Sequence, residues 1–122
     1  VFVGGVVAYS NEVKVEHVGV RAEDIEAHGA VSETVARQLA EGIARRFDAD
    51  VGIGITGIAG PGGGSEEKPV GTVWIGSYVR GEVRSFAGRY SGDRDAVRAR
   101  AGQAALADVY HRLLDLPVGM NP

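Results

Sequence analysis

The sequence predicts a three-layer α/β/α sandwich with a mixed sheet, folded as a single domain. Three observations carry this expectation. Two long segments, 32–47 and 93–114, place apolar residues at helical spacing. Short runs rich in valine and isoleucine alternate with turn residues. The order strand, helices, strand, loop, hairpin, helix is that of an α/β domain, and the hairpin adds an antiparallel element that makes the sheet mixed. The 122 residues suit one core and are too few for two.

The first element is Val3 to Ser10, short, valine-rich and bounded by Asn11, which reads as a strand although Gly4 and Gly5 weaken its start. Asn11 can cap a short helix to about Val18, because its side-chain oxygen can accept from an unpaired backbone N–H. A second short helix is expected at Ala22 to Ala27, ending near Gly29. Ser32 opens the clearest helix, with Val35, Ala36, Leu39, Ala40, Ile43, Ala44 and Phe47 on one stripe and Arg37, Gln38, Glu41 and Arg45 opposite. Val51 to Thr56 reads as a strand, and Gly57 to Glu67 as a loop. Val70 to Val79 and Glu82 to Ala87 form a hairpin around Arg80-Gly81. A final helix runs from about Asp93 to Leu114, burying Val97, Ala101, Ala104, Ala105, Val109 and Leu113. Residues 1–116 make the domain and 117–122 a tail.

Composition excludes several function classes. Hydrophobic residues are 44% and charged residues 24%, an ordinary globular balance. Acidic residues outnumber basic ones, 16 to 13, so direct nucleic-acid binding is not expected. A small phosphorylated ligand needs only a few local donors and stays open. With no cysteine there is no disulfide, thiolate metal site or cysteine nucleophile. His17, His28 and His111 lack ligand spacing, so no metal is expected. No run approaches ~20 apolar residues, so no membrane span is expected. The opening Val1-Phe2-Val3-Gly4-Gly5 has no charged lead and reads as the middle of a chain, not as a signal peptide; the absence of cysteine fits a reducing compartment, and the expected location is cytoplasmic.

The strongest local signal is the loop Thr56-Gly57-Ile58-Ala59-Gly60-Pro61-Gly62-Gly63-Gly64-Ser65, directly after a strand. Ligands of open α/β sheets bind beyond strand carboxyl ends, and glycines let backbone N–H groups face an anion. A flexible surface turn is the plain alternative. Gly52, Gly54 and Gly57 satisfy G-x-G-x-x-G, but the first two fall inside the strand, where they more simply leave room for a helix. No Lys-Ser or Lys-Thr follows the glycines, so the loop is not a Walker A motif. At the end of the first strand, Tyr9, Asn11 and Lys14 cluster; lysine serves as a base only when its pKa falls well below ~10.4. On pattern alone Lys14 reads as a solvated lysine between Glu12 and Glu16. Arg94 and Arg98 share one face at the start of the last helix and could reach one phosphate, or merely be solvated. None of the serines sits in a G-x-S-x-G elbow.

Five blocks, in order along nearly the whole chain, resemble the family of the CinA C-terminal domain, the nicotinamide-nucleotide amidases. They are Gly4 to Lys14, His28 to Ser32, Thr56 to Gly63, Lys68 to Trp74, and Ser91 to Arg94. The resemblance implies hydrolysis of the amide of nicotinamide mononucleotide, a phosphorylated pyridine nucleotide, to the acid nucleotide and ammonia, without a cofactor. It implies a serine nucleophile in a Glu-Ser-x-Thr-Gly-Gly motif, normally upstream of where this chain begins, so a helix and a strand of the family domain are expected to be missing here. Lys14 matches the family's general base, and Tyr9 lies in the same catalytic block. Asn11, Thr56, Gly57, Ala59, Gly60, Gly62, Gly63 and Arg94 are the implied substrate-binding residues, Arg94 for the phosphate. The resemblance also leads to expect a homo-oligomer. The rival expectation is a binding or interaction module of the same fold that does not hydrolyse the nucleotide.

Overall fold

The computed structural model describes residues 2–115; the expected tail lies outside the described residues. The elements are α1 (Asn11–Val18), α2 (Ala22–His28), α3 (Glu33–Arg46), β1 (Val51–Gly57), β2 (Thr72–Val79), β3 (Glu82–Arg89) and α4 (Arg94–Leu114). The strands form one sheet in the order β1-β2-β3, with both pairings antiparallel. Helix α3 covers one face and α4 the other, which makes three layers.

The close approach of α3 explains the strand glycines. A Cβ on Gly52 would collide with the Ala40 carbonyl, and one on Gly54 would sit 2.5 Å from the Ala36 carbonyl oxygen. Gly76 on β2 meets the same Ala36 carbonyl. The small residues Ala36, Ala40 and Ala44 line the facing side of α3 and are buried with Val35 and Leu39. On the opposite face Val73 and Ile75 pack with Val97, Ala101 and Ala105 of α4. Each valine or isoleucine among them contributes about 1.5–3 kcal/mol when fully buried. The β2–β3 turn places Arg80 at φ 46° and Gly81 at φ 89°, the left-handed pair that suits a two-residue hairpin.

Two expectations are corrected. Residues 3–10 do not form a strand, and the described sheet is antiparallel rather than mixed. A strand exists through its ladder, and this segment makes none: Val3, Val7 and Tyr9 are exposed, and the free edge of β1 faces the segment across a cleft of about 760 Å³. The second correction is a cap. Ser10, not Asn11, caps α1 by accepting from the Val13 N–H at 3.2 Å, which makes Asn11 the first helical residue. Helices α3 and α4 are capped in the same way: Ser32 accepts from Val35 N–H, and Asp93 accepts from Ala96 N–H.

Candidate functional site

Lys14 lies in the middle of α1, where helix geometry turns it toward the protein. It is only 7% exposed, and its Nζ donates to the Ala8 carbonyl at 2.9 Å. Its own carbonyl accepts from the N–H groups of Gly19 and Val20, so the chain reversal after α1 holds the backbone in place. Gly19 adopts φ 80°, the left-handed helix end that glycine permits. Burial pushes the Lys14 pKa below the ordinary lysine value, because desolvation disfavours the charged form. No carboxylate pairs with it among the described residues, despite Glu12 and Glu16 nearby in sequence. The plain reading of a solvated lysine is therefore overturned by its burial.

The neighbours of Lys14 in sequence differ. Tyr9 is 86% exposed, and Asn11 is exposed at the first turn of α1. No hydrogen bond or ion pair among the described residues joins Lys14, Tyr9 or Asn11 to the glycine loop.

The glycine loop follows β1 as expected. Thr56 is buried, and its hydroxyl donates to the Ala30 carbonyl at 2.7 Å, which fastens the segment after α2 to the end of β1. Gly57 closes β1 opposite Val73. Ala59 packs against the α4-side core, and Gly60 is buried, with φ 85° and a cis bond to Pro61. Gly62 and Gly63 are exposed. Arg94 Nη1 donates to the Gly60 carbonyl at 3.2 Å, so the start of α4 grips the loop. The N–H groups of Ala59, Gly60, Gly62, Gly63 and Gly64 have no backbone partner among the described residues. N–H groups without a backbone partner are donors left to solvent or to a ligand. Arg98, the second expected phosphate contact, makes no hydrogen bond to this loop.

The six serines of the chain all hold other posts. Ser10 and Ser32 cap helices, and Ser65 accepts from the Lys68 N–H. Ser77 is buried between Asp108 and Arg112, Ser85 bridges Arg37 and Glu33, and Ser91 accepts from Arg100. None contacts Lys14 Nζ. Among the described residues no cluster of His, Asp or Glu could hold a metal ion.

A cleft of about 760 Å³ lies elsewhere. It runs between residues 2–8 and the free edge of β1, and neither Lys14 nor the glycine loop lines it. It touches the candidate site only through Ala8, whose carbonyl holds Lys14.

One residue escaped the sequence reading as a site residue. Lys68 Nζ donates to the His28 carbonyl at 2.9 Å, joining the far end of the glycine loop to the end of α2. The available signal was composition: Lys14 and Lys68 are the two lysines of a chain that otherwise uses arginine for its cations.

Comparison with known proteins shows the family. The family described as CinA C-terminal domain matches residues 1–113. A CinA-like protein of Gemmatimonas aurantiaca is 59% identical over 103 residues, covering 84% of this chain and 24% of its own length. A putative competence-damage inducible protein of Clostridium kluyveri is 47% identical over 113 residues, covering 93% of this chain and 28% of its own. This chain thus spans about a quarter of the length of these relatives. Among solved structures, the competence damage-inducible protein A of Klebsiella pneumoniae superposes with TM-score 0.86 at 36% identity, over 91% of this chain and 69% of that one. A competence/damage inducible protein of Agrobacterium tumefaciens gives TM-score 0.82 at 39% identity, over 84% and 64% respectively.

Proposed function

The chain belongs to the CinA C-terminal domain family, and from that premise we propose that it is the greater part of an amidase domain acting on nicotinamide mononucleotide. The reaction is acyl transfer to a serine hydroxyl followed by hydrolysis, releasing ammonia and leaving the acid nucleotide. Lys14 is the general base. The family resemblance implies a serine nucleophile outside this sequence; the six serines here take part in caps, turns and buried contacts. The observation that carries the reading is Lys14 itself: a buried ammonium held by one carbonyl, with its pKa lowered by desolvation. A lysine acts as a base only as the neutral amine, and desolvation moves Lys14 in that direction. The unpaired N–H groups of the glycine loop and the Arg94 guanidinium supply donors for the phosphate or the amide oxygen. Tyr9, exposed as it stands, joins the site only in company with residues outside this sequence.

The commitment of every serine to another role favours a second reading, a nucleotide-binding module that does not hydrolyse. Ammonia release from nicotinamide mononucleotide by the full-length protein, beside a Lys14→Ala variant, separates the two. Turnover that disappears in the variant supports the amidase. Absence of turnover with a ligand-dependent rise in melting temperature moves the conclusion to the binding module. Absence of both overturns the nucleotide reading altogether.

A further inference from the structure

Lys68 is one of the two lysines of the chain. Its side chain is half-buried, and it forms no ion pair with any carboxylate among the described residues, although Glu66 and Glu67 precede it. Its Nζ reaches across forty positions of sequence to the His28 carbonyl, at the last residue of α2. The ammonium also crowds the next residue of the chain. A Cβ on Gly29 would lie 3.0 Å from the Lys68 Nζ, and Gly29 itself sits at φ 80°. Behind Lys68 the loop is folded back on itself: Ser65 N–H donates to the Lys68 carbonyl at 3.0 Å, and Lys68 N–H donates to the Ser65 hydroxyl at 3.1 Å. Pro69 continues the brace by accepting from both the N–H and the hydroxyl of Thr72.

The segment after α2 is therefore held at two points. Lys68 grips His28 from the far end of the glycine loop, and Thr56 grips Ala30 from its near end. Ser32 closes the same segment by donating to the Gly29 carbonyl and capping α3. Between the two points lie the glycines whose N–H groups have no backbone partner. A loop without a ladder of its own holds a ligand-ready shape only if its ends are fixed.

We infer that Lys68 is a positioning residue whose ammonium clamps the end of α2 to the glycine loop, so that the loop's N–H groups are held in their ligand-binding arrangement before ligand arrives. The binding part of this inference rests on the nucleotide reading above; the clamp itself does not. A methionine in place of Lys68 keeps the stem and removes the donor, whereas an arginine retains a donor of similar reach.

Hydrogen exchange followed by mass spectrometry on wild type, Lys68→Met and Lys68→Arg reads the clamp without any ligand. A hydrogen bond from a charged group of this kind corresponds to about a tenfold change in local opening. The expected result is exchange about tenfold faster in peptides covering 27–36 and 57–68 of Lys68→Met, near-wild-type exchange in Lys68→Arg, and unchanged protection of β2. Unchanged exchange in both peptides overturns the clamp. Acceleration spread equally through β2 also overturns it, by making Lys68 a general stability contact. In the full-length protein, nicotinamide mononucleotide is expected to bind Lys68→Met about tenfold more weakly, with turnover at saturation retained. Equal affinity in a variant whose loop does open overturns the link to binding. Failure of the wild type to bind removes the nucleotide reading and leaves the exchange result to decide the clamp.

Discussion

Replacing Gly54 by alanine tests the packing that builds the whole sandwich. Gly54 is in the middle of β1, paired with Gly76, in extended backbone that any residue adopts. The cost of a methyl group is therefore steric alone. The new Cβ would lie 2.5 Å from the Ala36 carbonyl oxygen and from Leu39 Cβ, and 2.6 Å from the Ala40 nitrogen. Two of these three are backbone atoms of α3 and cannot rotate aside. Restoring ordinary contact requires α3 to lift by roughly 1 Å, since favourable separations begin near ~3.5 Å. That helix also covers Gly52 and Gly76, so the lift loosens the whole α3 face. Overpacking of this sort costs typically ~1–3 kcal/mol, and a rigid backbone neighbour argues for the upper end. With a urea slope of ~1–3 kcal/mol/M, the unfolding midpoint is expected to fall by ~1–2 M. Gly62→Ala is the control: nothing lies within 4 Å of its Cβ, so its stability should stay within ~0.5 kcal/mol of wild type. A Gly54→Ala midpoint indistinguishable from that of Gly62→Ala, at unchanged slope, would refute the steric reasoning.

Three further predictions concern the buried cations. Because desolvation lowers the Lys14 pKa in the folded chain, the unfolded state binds more protons between the folded value and ~10.4, and stability should rise with pH through that window. Lys14→Met should flatten this rise; urea midpoints across the alkaline range check it, and an identical slope in the variant would count against the burial. In the full-length protein the ascending limb of kcat/KM should fall below ~10.4 for the same reason. Arg112→Met should cost about 3 kcal/mol, because it leaves the Ser77 carbonyl and hydroxyl and the Glu82 carbonyl without their donor. Denaturant unfolding measures it, and a loss below ~1 kcal/mol would show that these acceptors find other partners.

The sequence was most readable where one chemical rule acts alone. The stripe Val35, Ala36, Leu39, Ala40, Ile43, Ala44 and Phe47 made α3 visible, and all of it is buried except Ile43 and Phe47, which are partly exposed. The glycines of β1 were read as room for a helix, and the collisions at Gly52 and Gly54 are with α3. Arg80-Gly81 marked the hairpin, because left-handed backbone needs such residues. Residues 3–10 failed for a nonlocal reason. Their valines have strand propensity, but propensity is realised only against a partner edge, and no local pattern encodes where that edge lies. The site divided in the same way. The glycine loop was visible as composition, whereas the bond from Arg94, at the start of α4, to the Gly60 carbonyl had no sequence signal. The burial of Lys14 was not legible between two glutamates, because α1 carries almost no amphipathic signal and only the fold shows which side faces inward. Lys68 was legible only as one of two lysines, since its partner is forty positions away.

Lys14 and Arg112 are equally buried, each about 7% exposed, and both have pKa values lowered first by desolvation. Their consequences are opposite, and the difference lies in their acceptors. Arg112 meets the Ser77 carbonyl at 2.7 Å, the Ser77 hydroxyl at 2.8 Å and the Glu82 carbonyl at 2.9 Å, with the Glu82 carboxylate at 3.9 Å. A guanidinium starts so far above neutral pH that no such shift discharges it, so Arg112 stays charged and ties α4 to the hairpin. The ammonium of Lys14 has three donors and one acceptor, the Ala8 carbonyl. Among the described residues two of its N–H bonds have no protein acceptor to offset desolvation, and no carboxylate pairs with it. Burial with full hydrogen bonding makes a structural cation; burial with one acceptor lowers the pKa without anchoring the proton, which is the direction that the base role proposed for Lys14 requires. That contrast, between two cations in one small fold, is the physical reason to look for chemistry at Lys14 and for stability at Arg112.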